Sequence, residues 1–383
     1  MLNYNLNENQ KMIIDLVKSI NKEQVIPMRK HWDEQEEYPV DLYKLIGKSG
    51  LYSIIIPEKY NGMGGNLFDL NLVAEEFAKA DAGVAASFLA FYLGLLPIIK
   101  FGTETQKENY LPLIASGTKL AAFGVTESSA GSDVANIKTT AVQKNGEYIL
   151  NGTKQFITNG GLADIYCIAA KTDQNKDARG LSILILDKGI DGFEFGKIEN
   201  KLGIRTSVTR ELIFKECKVS KEKLLGSKEN IGFLQILKVF EESRLTVAAQ
   251  AVGIAEGALE LSIKYAKERV QFGKKIATFQ GIQWILAEMA TKIEAARSLV
   301  YSASKAYDNG QENIGCASAQ AKLFASDVAM EVVTNALQIF GGNGYMKDYP
   351  IEKYFRDAKI TQIYEGTNQI QKNIIALDIL KRF

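Results

Sequence analysis

TTAVQKNGEYIL, residues 139–150, decides how this chain of 383 residues is divided. Asn145-Gly146 separates two β-prone runs, and an Asn-Gly pair supplies the left-handed residues that a two-residue hairpin turn needs. Working outward, residues 165–170, 181–186 and 211–214 are apolar runs of strand length. Asn151-Gly152 and Asn159-Gly160 read as punctuation between runs. The spacing predicts a β domain over residues 118–225, between an N-terminal helical domain (1–117) and a C-terminal helical part (226–383). The expected class is α+β: a helical domain, a middle antiparallel β domain and a C-terminal four-helix bundle.

On the N-terminal side, residues 12–20 and 40–46 carry apolar side chains at helical spacing. Residues 82–99 hold no charge and raise the question of a membrane span. Gly83, Gly94 and Pro97 limit the expected helix to residues 82–96, which at about 1.5 Å per residue falls short of a hydrocarbon core of about 30 Å. A helix buried inside the protein is expected instead. On the C-terminal side, residues 232–267, 279–306 and 316–340 are long amphipathic patterns, and residues 368–380 supply a fourth.

Composition excludes several chemistries. Net charge is +1, with basic and acidic residues interleaved, so neither nucleic acid nor an anionic membrane surface is indicated. Cys167, Cys217 and Cys316 form no C-x-x-C pair, which suggests a reducing compartment. No N-terminal targeting signal is read, and the expected location is cytoplasmic, or the mitochondrial matrix for a processed eukaryotic chain. His31 is the only histidine. A Ser-His-Asp triad or a His-rich metal site would have to use it, and its charged surroundings mark a surface residue, so no metal site is expected. Acid–base work then falls to a carboxylate, Lys or Tyr, and redox chemistry to a cofactor.

The carboxylate that stands out lies in DAKITQIYEGTNQIQ, residues 357–371. Glu365 sits at a break before a helix, where burial could raise its pKa toward that of a working base. An equally physical reading is a helix start, with Asn368 and Gln371 as a capping box. Four further stretches could carry chemistry. FGVTESSAGSD (123–133) is a strand end running into a hydroxyl-rich turn, and KQFITNGG (154–161) puts an aromatic at another. RVQFG (269–273) places a cation and an aromatic at a helix break. QIFGGNGY (338–345) closes a long helix with glycines, as a cap or as backbone approaching a ligand. It is not a G-x-G-x-x-G strand–helix element, so a Rossmann site is not supported.

In this order and spacing, the five stretches resemble the flavin-dependent acyl-CoA dehydrogenases of short- and medium-chain type, from about Asn7 to the C-terminus. The resemblance implies FAD held between the β domain and the C-terminal bundle. Phe123, Val125, Thr126 and Ser132, with Phe156, Ile157 and Thr158, would line its ring and pyrophosphate. Arg269, Phe272, Gln280, Gln338, Gly341 and Gly342 match positions that reach the FAD of a neighbouring subunit, and Thr367 and Gln369 match further contacts. A shared site implies a homo-oligomer, usually a dimer of dimers.

Glu365 matches the base that takes the α-proton while a β-hydride passes to flavin N5, giving a trans-2-enoyl-CoA. The resemblance implies that the thioester oxygen is held by the base's own N–H and a flavin hydroxyl. Relatives that carry the base on the bundle place it before an arginine, where this chain has Ser243. Ser132, Glu241, Arg244 and Gly366 match positions at the acyl-CoA, although the family often has Asp at the Glu241 position. Ser128 stands where Pro is common, and Phe156 where Trp is frequent. Electrons would pass to an electron-transferring flavoprotein, or the reaction would run in reverse as an enoyl-CoA reductase. An oxidase or flavin monooxygenase on the same scaffold, or a non-catalytic flavoprotein, are the alternatives. Phe88, Phe91 and Tyr92 either shape the acyl pocket or are core packing.

Overall fold

The computed structural model describes residues 4–311 and 314–382. The N-terminal block holds α1 (Glu8–Ile20), α2 (Ile26–Gln35), α3 (Val40–Lys48), α4 (Leu67–Ala80), α5 (Ala82–Phe101) and α6 (Glu104–Ala115). A π-helical turn, Asn21–Val25, joins α1 to α2. Asn7, Asn66 and Thr103 start α1, α4 and α6 with reciprocal capping boxes that satisfy otherwise unpaired N–H groups.

The apolar helix α5 runs through Pro97 to Phe101, five residues past the expected stop. Pro97 lies inside the helix, a full turn before its end; its missing N–H removes one hydrogen bond, and the core that encloses α5 carries the helix past it. At 20 residues α5 is long and apolar enough to cross a membrane, as is the stretch Gly315–Tyr345. Length therefore does not decide the question; α5 is almost wholly enclosed by protein. Gly94 lets it lie directly on the next strand, since a Cβ there would come 2.3 Å from the Ala122 nitrogen.

The middle block contains β1 (Ala121–Gly124), β2 (Thr140–Lys144), β3 (Glu147–Thr158), β4 (Ile165–Lys171), β5 (Leu181–Asp187), β6 (Phe193–Ile198) and β7 (Thr209–Ser220). Asn145 and Gly146, at φ of 53° and 83°, form the expected hairpin turn between β2 and β3. Asn151-Gly152 does not end a run. It is a bulge within β3, where Gly152 at φ 149° passes against Thr139. The sheet departs from the all-antiparallel expectation, because β4 runs parallel to β1 and, at one pair, to β2. β1 returns to the sheet through the turn and hairpin that follow it, and such a crossover aligns strands in parallel.

Alternation along β4 explains its burial on both faces. Ile165, Cys167 and Ala169 join the main core with α5, while Tyr166, Ile168 and Ala170 join a second core with Phe193 and Phe214.

The C-terminal block holds α7 (Gly232–Glu268), a two-residue hairpin of β8 (Val270–Gln271) and β9 (Lys274–Lys275), α8 (Gln280–Asp308), α9 (Gly315–Phe340), α10 (Ile351–Ala358) and α11 (Asn368–Arg382). α7, α8 and α9 pack on one another as expected. α11 packs chiefly on α9, and the remaining face of α7 and α8 is covered by α4 from the N-terminal block. The alanine-rich stripes of α7 and α9 permit this close approach.

Candidate active site

Glu365 lies on the connection between α10 and α11, after a 3-10 turn at Lys359–Gln362. Its φ of 53° puts a residue bearing a Cβ in the left-handed region, and Gly366 follows at φ 89°. Such backbone persists only where its surroundings hold it. Here the Gln371 amide donates to the Gly366 carbonyl (2.8 Å) and the Glu365 carbonyl (3.3 Å). The buried Lys322 ammonium, from α9, donates to the same Gly366 carbonyl at 2.8 Å. The helix start is capped by Thr367, whose hydroxyl accepts from the Ile370 N–H. Asn368 is not the cap: it turns inward to Lys322, Ser326 and Asp327.

The Glu365 carboxylate reaches across to α7, where the Ser243 hydroxyl donates to it at 2.6 Å. Burial raises its pKa above the ordinary carboxyl value, while the Ser243 bond and the charges of Arg244 and Lys322 pull the other way. The half-buried carboxyl is held ready to ionise without being left in open water. Among the described residues no acceptor meets the Glu365 N–H, and none meets the Nε of the buried Arg244. Two donors next to the carboxylate are thus free for a polar ligand. Glu241, one turn before Arg244, is tied instead to Lys238 at 2.7 Å. Tyr364 anchors the turn from behind by donating to Gln250, whose amide donates to Ala82 at the start of α5.

The β-domain stretches converge on the same side of α7. Phe123 and Val125 are buried where β1 ends, and the Phe123 ring lies 6.3 Å from that of Phe240 on α7. The Gln155 N–H donates to the Thr126 carbonyl at 2.8 Å, which brings the two strand ends side by side. Phe156 sits on a bulge of β3 at φ 58°, with its ring 57% exposed, between the buried Lys154 and Ile157. Thr158 is half-buried at the strand end, and Ser132 is exposed on the turn after Thr126.

A second group collects elsewhere. Arg269, Phe272, Gly341 and Gly342 line an open groove of about 560 Å³ with Tyr265, Phe279 and Ile282. Phe272 and Gly273 form the tip of the β8–β9 hairpin, and Phe272 is 94% exposed. Gly341 caps α9 at φ 59°, so the capping role of the glycine cluster is real. Gly342, however, meets no neighbour that a Cβ would strike. Ser132, Gln280, Gln338 and Gln369 are exposed, with no side-chain hydrogen bond to either group among the described residues.

Three family models cover nearly the whole chain: the N-terminal domain of acyl-CoA dehydrogenase over residues 7–118, the middle domain over 122–217 and the C-terminal domain over 230–380. The chain belongs to the acyl-CoA dehydrogenase family.

Its relatives include an acyl-CoA dehydrogenase of Bacillus subtilis, 46% identical over 97% of this chain and 98% of that protein. Another is the acryloyl-CoA reductase (NADH) of Anaerotignum propionicum, 45% identical over 100% and 97%. Among solved structures, butyryl-CoA dehydrogenase from Megasphaera elsdenii matches with a TM-score of 0.96, 43% identity and coverage of 99% and 100%. A chain from the electron transferring flavoprotein study of Acidaminococcus fermentans matches at 0.97, with 48% identity and the same coverage. An acyl-CoA dehydrogenase complexed with FAD from Bacillus anthracis matches at 0.93 and 35% identity, over 100% of this chain and 68% of that one.

This acyl-CoA dehydrogenase is a flavoenzyme, and its own geometry fits FAD. An exposed aromatic on a strained bulge and a glycine that internal packing does not require both face open space, while the buried Arg244 Nε lacks a partner beside the base. Phe88, Phe91 and Tyr92 pack within the N-terminal core against Tyr52 and Phe77, so the core reading holds for them.

Two residues went unnoticed in the sequence. Lys154 is fully buried and donates to Glu127 at 2.7 Å and to the Val125 carbonyl at 3.0 Å. Burial pushes its ammonium down to about 8, while burial of Glu127 is outweighed by Lys154 and by two backbone N–H groups that hold its carboxyl below the ordinary value. This pair staples TESSAGSD to KQFITNGG. The only signal was acidic charge in one stretch and a single lysine in the other.

Proposed function

We propose that Glu365 is the general base of this acyl-CoA dehydrogenase and that its preferred substrate is a short, straight-chain acyl-CoA. The observation that carries the reading is the Glu365 carboxylate itself: raised in pKa by burial, hydrogen-bonded by Ser243, and flanked by the unpaired Nε of Arg244. The α-proton of a thioester is weakly acidic, so its removal needs both a base and stabilisation of the oxygen where charge develops. Glu365 accepts the proton, and its free N–H is placed to donate to that oxygen. Arg244 and Gly366 border the thioester. Ser243 keeps the carboxylate aimed and ionised until the substrate arrives.

FAD, when bound, supplies the acceptor for the hydride that leaves the β-carbon. Phe123, Val125, Thr126, Phe156, Ile157 and Thr158 would hold it on the β-domain side, with Ser132, Thr367 and Gln369 at the margins. Arg269, Phe272, Gln280, Gln338, Gly341 and Gly342 would serve the FAD of a second subunit, which makes the active form a homo-oligomer. Exposure of Phe272 at the groove supports that assignment. Resemblance to the flavoprotein-linked chain of Acidaminococcus supports an electron-transferring flavoprotein as partner. The acryloyl-CoA reductase relative supports operation in the reductive direction under suitable supply of electrons. The butyryl-CoA dehydrogenase relative supports a short acyl chain.

Titration of the FAD-loaded protein under argon with butyryl-, hexanoyl-, isovaleryl- and phenylpropionyl-CoA tests this. Bleaching of the visible flavin band, strongest with butyryl-CoA, is expected. Preference for isovaleryl- or phenylpropionyl-CoA would overturn the substrate assignment, and a flavin indifferent to all four would overturn the function.

A further inference from the structure

We infer that Lys322 is a positioning residue for the base: its ammonium, reaching in from α9, fixes the left-handed turn at Glu365–Gly366 and places a second cation near the Glu365 carboxylate. The inference rests on Glu365 being the base. Lys322 lies in the middle of α9 and is fully buried, a costly place for an ammonium unless its bonds and its charge are used. Both bonds go to the base turn. Nζ donates to the Gly366 carbonyl at 2.8 Å and to Asn368 Oδ1 at 2.9 Å. No carboxylate lies within ion-pair distance of it among the described residues. Its counter-charges act through space, from Glu365 on the turn and Asp327 on α9, against repulsion from Arg244 on α7.

The geometry assigns Lys322 two separable effects. Its hydrogen bond orients the peptide that follows the base, alongside that of Gln371. Its charge reaches Glu365 across low-dielectric protein, where attraction between opposite charges is strong. The groups facing Glu365 are Ser243 and Arg244 from α7 and Lys322 from α9, so Lys322 supplies one of two cations. Burial pushes Lys322 down to about 8, which leaves it mainly charged at neutral pH.

Two neutral replacements separate these effects in the FAD-loaded enzyme. Lys322→Met removes both charge and donors, whereas Lys322→Gln keeps a donor. The pH profile of kcat/KM with butyryl-CoA is the readout. Both variants should move the acidic limb up by about one pH unit, the size of effect an opposite charge nearby produces. Lys322→Met should also lower kcat on the plateau about tenfold more than Lys322→Gln. An acidic limb that stays in place in a variant that retains FAD would overturn the inference. Loss of FAD from both would overturn it too, by showing a folding role only. Glu365→Gln is run beside them: turnover that survives it refutes the base assignment itself, independently of Lys322.

Discussion

The base turn and the hairpin groove are both expected to serve one reaction, yet a single chain finishes only the first. Around Glu365, backbone carbonyls and buried polar side chains meet partners from α7, α9 and α11. Around Phe272, an aromatic ring, an arginine and bare glycines border an open groove. The enclosed region can bias a proton transfer, because desolvation and fixed charges act strongly there. The open region can do little until something covers it. Strain follows the same division: Glu365 at φ 53° is held by three polar partners, while Phe272 at φ 51° has only its hairpin and an edge contact with the Phe279 ring.

The sharpest way to break this contrast is Glu365→Gln. Turnover should fall by about 10³-fold or more, within the range known for loss of a general base, while FAD remains bound. Stability should move the opposite way. The folded pKa of Glu365 lies above its ordinary value of 4.5. Its contribution to stability is therefore fully present below pH 4.5 and is lost as pH rises through the folded pKa. The glutamine variant should melt slightly higher than the parent near pH 8, with the gain vanishing toward pH 4. A lower melting point at both pH values would show that the carboxylate stabilises the turn rather than straining it.

Next in size is Glu127→Ala, which leaves the Lys154 ammonium buried without its partner. Breaking such a pair costs about 3–5 kcal/mol, and the two strand ends that flank Phe156 should loosen together. Denaturant unfolding and FAD retention are the measurements. The double replacement Glu127→Gln with Lys154→Met should recover most of the stability, which a pair serving only as a surface contact would not do.

Much of the architecture was legible because periodicity and turn chemistry are local. Asn145-Gly146 announced its hairpin, and the long amphipathic patterns became α7, α8 and α9. Legibility ended where tertiary contacts overrule a local rule. Pro97 sits inside α5 because the core enclosing the helix carries it past the one bond it lacks. Asn151-Gly152 is a bulge because β7 pairs on either side of it. β4 is parallel to β1 because the intervening chain crosses back. At the site, Glu365 could be singled out by its break in pattern, but its partners could not. Ser243, Lys322 and Gln371 lie on three helices, and nothing local marks a lysine in an alanine-rich helix as a neighbour of a turn 43 residues onward.

A smaller effect would sharpen the contrast from the open side. Phe272→Ala changes a 94% exposed ring, so the isolated chain should lose within about 0.5 kcal/mol. If a second subunit's cofactor meets this ring, oligomer mass at low protein concentration and FAD retention should both decline, several-fold for the latter. Unchanged oligomer and FAD binding would leave the groove without a role in the reaction.

The smallest expected change is Ser243→Ala, and it tests the enclosed side most finely. Ser243 donates one short bond to Glu365 and carries no charge. That bond favours the ionised carboxylate, so its loss should raise the pKa of the base and move the acidic limb of kcat/KM upward by a few tenths of a pH unit. A bond to a charged group is worth about 1.5–3 kcal/mol in general, but the alanine leaves no orphaned donor, and Arg244 and Lys322 still act on the carboxylate. Plateau turnover should therefore fall only about three- to tenfold. A limb that moved downward would mean that the hydroxyl stabilises the protonated acid instead, and Ser243 would then be read as an acceptor that keeps the base idle until substrate displaces it.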